Sequence, residues 1–440
     1  MSKISVVGTG YVGLVTGAGL ARLEHEVTCV DIDENRITRL QNGRLPFFEE
    51  SLEKLVHEGI YSNRLRFTTD LSESLTEAQY AMITVGTPEG SEGDPDLSQV
   101  FSVVKNIAKS AGHDLAIIVK STVPVGCFNQ LRTIIREAES PYAIKLVSCP
   151  EFLAEGSAVH DFFHPSRTIV GASTEKLARD VMSLFTGVTG PRIYTKPETA
   201  QIIKYASNSF LASRIAFINE IARICELFSV DSHDVEQGML LDPRFGSGYL
   251  RSGIGYGGPC LSKDLAALLS TAKMAGYESV FCRAIASQNE AQIQHTVDLL
   301  CSLAASGETV AIFGLAFKAG TSDVRNSLAV KIAESLLAQD RKVTASDPVA
   351  FDEANTLLGP KGVVCYENPW KAAAGSHVQA FLTAWPEYKQ IQLDRLRSVV
   401  AKTSIFDGPG IFDPSEVRTA GFNYCGIGRI NADPFLIIES

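Results

Sequence analysis

Residues 3–33, KISVVGTGYVGLVTGAGLARLEHEVTCVDID, constrain the fold more than any other part of the chain. The apolar run Ile4–Val7 predicts a strand, the glycines a turn, the residues from about Tyr11 a helix, and Val27–Val30 a second strand. Gly8, Gly10 and Gly13 form GxGxxG in the context that gives it meaning. The first permits the turn, the second lets a pyrophosphate approach the backbone, and the third lets the helix pack closely on the sheet. The helix N-terminus, at Tyr11 and Val12, then offers unpaired N–H groups to phosphates. Asp31 closes the second strand, where a carboxylate accepts both ribose hydroxyls and would repel a 2′-phosphate, so the expected cofactor is NAD rather than NADP. Arg36 lies nearby and belongs with the cofactor residues, but does not by itself make room for NADP.

Two further apolar runs, from Tyr80 and from Leu115, end in hydroxyls. In an open α/β sheet ligands lie beyond the carboxyl ends of strands, which puts Thr87, Ser121 and Thr122 near the cofactor unless they cap helices. Glu151 and Glu155 share a face if their segment makes a helical turn; capping or simple surface exposure is the alternative. From Pro197 toward Phe228 the pattern predicts one long helix with an apolar face, connecting domains or forming a subunit interface. Lys204 and Asn208 lie one turn apart on it, placed for a ligand unless the lysine merely snorkels to the surface. A second module follows: strand Val310–Phe313, helix Asn326–Leu337, strand Val343–Ser346, then apolar runs Gln379–Thr383 and Thr403–Phe406. It lacks GxGxxG and so suits a different nucleotide ligand. The expected architecture is α/β, with two Rossmann-like doubly wound domains joined by a long central helix, divided as 1–196, 197–300 and 301–440.

With 50 acidic and 40 basic side chains the net charge is -10, which offers no general attraction to nucleic acid or anionic membrane. No segment supplies 18 consecutive apolar residues, and the glycine-broken N-terminus does not resemble a signal sequence, so a cytoplasmic protein without a membrane span is expected. The nine cysteines are scattered without zinc spacing, and most fit a reduced core. His160 and His164 flank Asp161 but lack the motif of a zinc enzyme, and no metal is expected. Cys260 is different. It sits in GIGYGGPCLSKDL, where a turn explains the glycines but not a thiol followed by Lys263 and Asp264. A thiolate beside a lysine attacks an aldehyde; the thiohemiacetal loses hydride to NAD to give a thioester, and water releases an acid. Lys204 and Asn208 would stabilise the oxygen charge.

The ordered motifs GTGYVGLVTG, STVPVG, PEFLAEG, KYASNSFLASRIAFINE, GYGGPCLSKD and GLAFKAGTSDVRNS span almost the whole chain, which resembles the UDP-glucose/GDP-mannose dehydrogenase family. The resemblance implies two successive NAD-dependent oxidations that turn a sugar C6 alcohol into a carboxylate, with UDP-glucose as the expected substrate and UDP-glucuronate as the product. It implies an NAD-binding domain, a central dimerisation region and a C-terminal UDP-sugar-binding domain in a homo-oligomer. By the same resemblance Cys260 is the nucleophile, Glu151 activates water, Lys204 and Asn208 stabilise the oxyanion, and Asp264 is a catalytic carboxylate assisted by Thr122. NAD is expected near Glu155, Lys263 and Arg325. The UDP-sugar is expected near Phe152, Leu153, Tyr249, Leu250, Gly253, Phe317 and Lys318, with Arg244 approaching across a subunit boundary. The chain departs from the family pattern at Pro259 and Ser262, where serine and proline are common, and at Arg214, which replaces a lysine. Pro409 and Gly410 stand where the family often has Arg-Asn, and proline offers no side-chain donor. The competing readings are a dehydrogenase of a UDP-N-acetylhexosamine or GDP-mannose, and a non-catalytic nucleotide-sugar sensor.

Overall fold

The computed structural model describes residues 1–90, 93–246 and 248–429. The chain forms two compact units: Met1–Ser207 with Ala266–Glu278, and Asn208–Leu265 with the chain from Ser279 onward.

The first unit is built on eight strands: β1 (Lys3–Val7), β2 (Glu26–Val30), β3 (Leu65–Thr68), β4 (Tyr80–Ile83), β5 (Leu115–Val119), β6 (Ile144–Ser148), β7 (Thr168–Ala172) and β8 (Arg192–Thr195). They lie in the order β3-β2-β1-β4-β5-β6-β7-β8, parallel except where β6 meets β7. Helices cover both faces, so central strands carry no polar alternation; LAIIV of β5 is buried throughout. One face packs Ile4, Val6 and Met82 against Leu14 and Ala18 of the helix Tyr11–Arg22, the other packs Val7, Ile83 and Ile117 against Val104 and Phe128. Strand order reverses between β1 and β4, whose ends Val7 and Ile83 are register partners, and this opens a crevice beyond their carboxyl ends.

The second unit carries β9 (Thr309–Phe313), β10 (Lys342–Ser346), β11 (Val364–Cys365), β12 (Val378–Phe381), β13 (Ser404–Asp407) and β14 (Asn423–Gly426). Their order, β11-β10-β9-β12-β13-β14, repeats the permutation of the first six strands, and every pairing is parallel. The chain is therefore α/β with two doubly wound sheets, and the long helix expected between them runs from Pro197 to Leu227. The second sheet differs from the first where a ribose would bind. Asp347 follows β10 as Asp31 follows β2, but its carboxylate already accepts from the N–H groups of Leu315, Ala316, Val349 and Ala350 and from the Trp385 indole. No acceptor capacity is left there for a dinucleotide.

Local boundaries shift from the sequence reading in two instructive places. Residues 151–154 are not helical, so Glu151 and Glu155 do not share a helical face. The helix expected from Asn326 starts at Leu328, because Asn326 is left-handed (φ 50°) and Ser327 occupies the extended cap position. No described helix is long and apolar enough to cross a membrane.

Candidate active site

In the first unit the glycine turn has the geometry its spacing predicts. Gly8 has φ 102°, and a Cβ on Gly13 would lie 1.8 Å from the Gly8 carbonyl oxygen, so the helix can approach the turn only through a glycine there. A Cβ on Gly10 would meet nothing within 4 Å, so no protein contact demands glycine at that position. That open space over a helix N-terminus fits a pyrophosphate. Asp31 is held by the N–H and hydroxyl of Thr9, both at 2.8 Å, and by the Asp33 N–H. Arg36 pairs with the same carboxylate at 3.0 Å. Burial alone would raise the Asp31 carboxyl, but these donors and the Arg36 charge together hold it below its ordinary value. The residues thus fit the adenosine half of NAD. Val12 is half-buried behind the turn, while the Tyr11 hydroxyl accepts the Gly156 N–H at 2.7 Å and fastens the loop carrying Glu155. Thr87 and Ser121 cap no helix: their hydroxyls donate to the carbonyls of Thr122 and Val85, bracing the loops after β4 and β5 on which half-buried Thr122 sits.

Beyond β6 the chain presents a buried ion pair, Lys204 Nζ to Glu151 Oε1 at 2.9 Å. The other Glu151 oxygen accepts the Leu153 N–H at 2.7 Å. Burial disfavours the Glu151 carboxylate, yet Lys204, that N–H and the more distant Lys120 outweigh it and lower its pKa. Lys204 also stands 5.3 Å from the Phe152 ring centroid, so it does not snorkel to solvent.

In the second unit Cys260 sits at the N-terminus of the helix Leu261–Met274, its carbonyl accepting the Asp264 N–H at 2.9 Å. Of the nine cysteines it alone is exposed; four are buried, and burial pushes the Cys29 and Cys127 thiols up to about 12. A helix N-terminus favours a thiolate, and among the cysteines only Cys260 combines that position with exposure. Asp264 is fully buried and accepts from Asn208 Nδ2 at 2.6 Å and from Lys263 Nζ at 2.5 Å. The glycine loop before the thiol is packed tightly: a Cβ on Gly258 would lie 2.5 Å from the Phe317 ring and one on Gly257 2.6 Å from the Asn326 carbonyl oxygen.

The same loop walls a cavity of about 280 Å³ at the carboxyl ends of β9 and β12, lined by Arg251, Gly253, Phe317, Lys318, Thr383 and Pro409 among others. Gly253, Phe317 and Lys318, three of the residues expected near the UDP-sugar, line this one cavity. Arg251, which that reading passed over, adds a cation from the loop and donates to the Gly410 carbonyl. Pro409, the departure from the family pattern, is part of the wall. Arg244, Tyr249, Leu250 and Arg325 do not line this cavity. Arg244 and Arg325 are paired with Asp242 and Asp323, both at 2.5 Å. Tyr249 is exposed with φ 58°. Leu250 and Arg244 line a separate apolar groove of about 460 Å³ with Phe210, Phe217, Phe245 and Phe281. The His160 and His164 rings lie tilted to one another with centroids 5.0 Å apart, and Asp161 serves the Ala154 N–H and the Ser157 hydroxyl. Thr9 and Lys120 were also missed; the threonine lies inside GxGxxG at a position the motif leaves unspecified.

Three sequence profiles of one family match in series: the NAD binding domain of the UDP-glucose/GDP-mannose dehydrogenase family over residues 2–189, its central domain over 198–291 and its UDP binding domain over 311–414. The UDP-glucose 6-dehydrogenase TuaD of Bacillus subtilis (strain 168) is 40% identical over 432 residues, covering 98% of this chain and 94% of its own. A UDP-glucose dehydrogenase structure from Pyrobaculum islandicum superposes with a TM-score of 0.91 at 33% identity, covering 98% of each chain. A UDP-D-ManNAc dehydrogenase structure from Pyrococcus horikoshii superposes with a TM-score of 0.86 at 26% identity, covering 98% of this chain and 100% of that one.

Proposed function

The chain belongs to the UDP-glucose/GDP-mannose dehydrogenase family, and on that premise we propose that it oxidises the C6 alcohol of UDP-glucose twice to give UDP-glucuronate. The observation that carries the reading is Cys260: the exposed thiol at a helix N-terminus, four residues before a buried aspartate bound by Asn208 and Lys263. The glycine turn and Asp31 would hold NAD, and two molecules of it, bound in turn, would each accept one hydride, the first from the C6 alcohol and the second from the thiohemiacetal. The Cys260 thiolate adds to the C6 aldehyde, and the new C–S bond leaves a hemiacetal oxygen whose charge Lys204 and Asn208 stabilise. Oxidation of that thiohemiacetal gives a thioester. Glu151 takes a proton from water as the water attacks the thioester carbonyl, and the carboxylate product leaves Cys260 as thiolate. Lys204 and Asn208 lie four residues apart on one unbroken helix, which supports their acting on the same oxygen. Asp264 and Thr122 assist. Glu155, Lys263 and Arg325 serve NAD, and Phe152, Leu153, Tyr249 and Leu250 the sugar nucleotide, with Gly253, Phe317 and Lys318 holding its diphosphate side.

The domains proposed are 1–196 for NAD, 197–300 for dimerisation and 301–440 for UDP-sugar. Exposed Phe210, Phe217, Leu227, Phe228 and Phe281 support a second copy covering the central region, with Arg244 reaching across. A cytoplasmic location is part of the same proposal. The second reading, a UDP-N-acetylhexosamine or GDP-mannose as substrate, is favoured by Pro409 in the cavity wall, and the N-acetylhexosamine also by the likeness to a UDP-D-ManNAc dehydrogenase. Initial rates with UDP-glucose, UDP-N-acetylhexosamines and GDP-mannose, each with NAD and NADP, decide between them. UDP-glucose with NAD is expected to give the highest kcat/KM. Preference for an N-acetylhexosamine or GDP-mannose would select the second reading, and ligand binding with no turnover of any would make the chain a sensor.

A further inference from the structure

We propose that Arg167 is a positioning residue for the Glu151–Lys204 pair, clamping the loop that carries the carboxylate to the helix that carries the ammonium. Its guanidinium carbon lies 4.0 Å from the Phe152 ring centroid, over the residue next to Glu151. Its Nη2 donates to Ser207 Oγ at 2.7 Å, and that hydroxyl donates to the Ile203 carbonyl at 2.7 Å, one residue from Lys204. Phe152 therefore meets two cations, Arg167 and, at 5.3 Å, Lys204. Among the described residues Arg167 makes no ion pair; its partners are the ring and the hydroxyls of Ser166 and Ser207. A half-buried guanidinium without a carboxylate is not placed for charge neutralisation. What it offers is shape: a plane that stacks on an aromatic face while its edge donates a directed hydrogen bond, which a lysine cannot do at once.

The consequence falls on Glu151. Lys204 from the central helix, Lys120 from the end of β5 and the Leu153 N–H from its own loop all face that carboxylate, and Cys149 precedes it on the same chain segment. The Lys204 hydrogen bond joins the loop after β6 to the central helix, and Arg167 links the same two elements through Phe152 and Ser207. Loosening that link lengthens the ion pair, so the carboxyl rises toward its ordinary value, because the cation that lowered it has withdrawn.

The test rests on the function proposed above and is built to separate the two. In Arg167→Met the expected result is a kcat lower by on the order of tenfold with KM changed far less. The acid limb of kcat is expected to move to higher pH. Arg167→Lys keeps the charge and recovers only part of the rate. Ser207→Ala removes the bridge from its other end and should move the limb the same way, which covers a failure of Arg167→Met to fold. Infrared titration of ligand-free protein, differenced against Glu151→Gln, reads the same carboxylate without turnover. A wild type inactive on every nucleotide sugar would defeat the functional reading alone. A Glu151 midpoint unmoved in Arg167→Met, or a loss confined to KM, would overturn the clamp.

Discussion

Cys260 and Glu151 divide the proposed chemistry between them, and single substitutions separate their parts. Serine at 260 preserves size but offers almost no anion near neutral pH, so Cys260→Ser should lose the aldehyde-to-acid half of the reaction by several orders of magnitude while folding normally. Glu151 is held ionised by Lys204, so its carboxylate persists to lower pH than an ordinary glutamate of pKa about 4.3. The stabilisation from the pair is complete above the unfolded pKa and disappears as pH falls through the folded one. The acid limb of kcat in the wild type is accordingly expected below about pH 4.3, and Lys204→Met should raise it. A limb well above that value would show that Glu151 is not the titrating base. At Asp31, substitution by asparagine removes the charge that Thr9 and Arg36 stabilise and should narrow the preference for NAD over NADP, measured as the ratio of their kcat/KM.

Among the elements, the glycine turn gives the sharpest expectation. Gly13→Ala would put a methyl 1.8 Å from the Gly8 carbonyl oxygen, and since both groups are backbone-fixed the helix must shift. We expect a loss of roughly 1–3 kcal/mol, read as a lower midpoint in denaturant, together with weaker NAD binding. Gly10→Ala meets no protein atom and should leave stability nearly unchanged while weakening NAD. This turn was legible in the sequence because its determinants lie within one strand, one turn and one helix. The 31-residue helix was legible for the same reason. The shared face offered for Glu151 and Glu155 was conditional on a helical backbone; the segment is not helical, and Glu151 accepts the Leu153 N–H instead. Asp347 and Arg167 were silent because their partners come from distant segments. The aspartate collects donors from residues 315 to 385, and the arginine reaches a serine 40 residues away. No local pattern encodes such meetings.

At the scale of the whole molecule, the apolar side chains left in water bear on assembly. Phe210 is 62% and Phe281 69% exposed, and both line the groove that holds Leu250 and Arg244. Patches of this kind mark interfaces. Light scattering should find at least a dimer, and Phe217→Glu with Phe281→Glu should shift it to a smaller species with reduced activity; a fully active wild-type monomer would remove Arg244 from the proposed substrate contacts. The central claim, a covalent intermediate on Cys260, is open to one direct reading. Intact-mass and peptide spectrometry of Glu151→Gln after incubation with UDP-glucose and NAD should find a sugar-nucleotide acyl adduct on Cys260, because the thioester forms but water attack is slowed. No such adduct should form in Cys260→Ser. An unmodified Cys260 in Glu151→Gln, with a folded Cys260→Ser protein still making two NADH for each UDP-glucuronate, would contradict it.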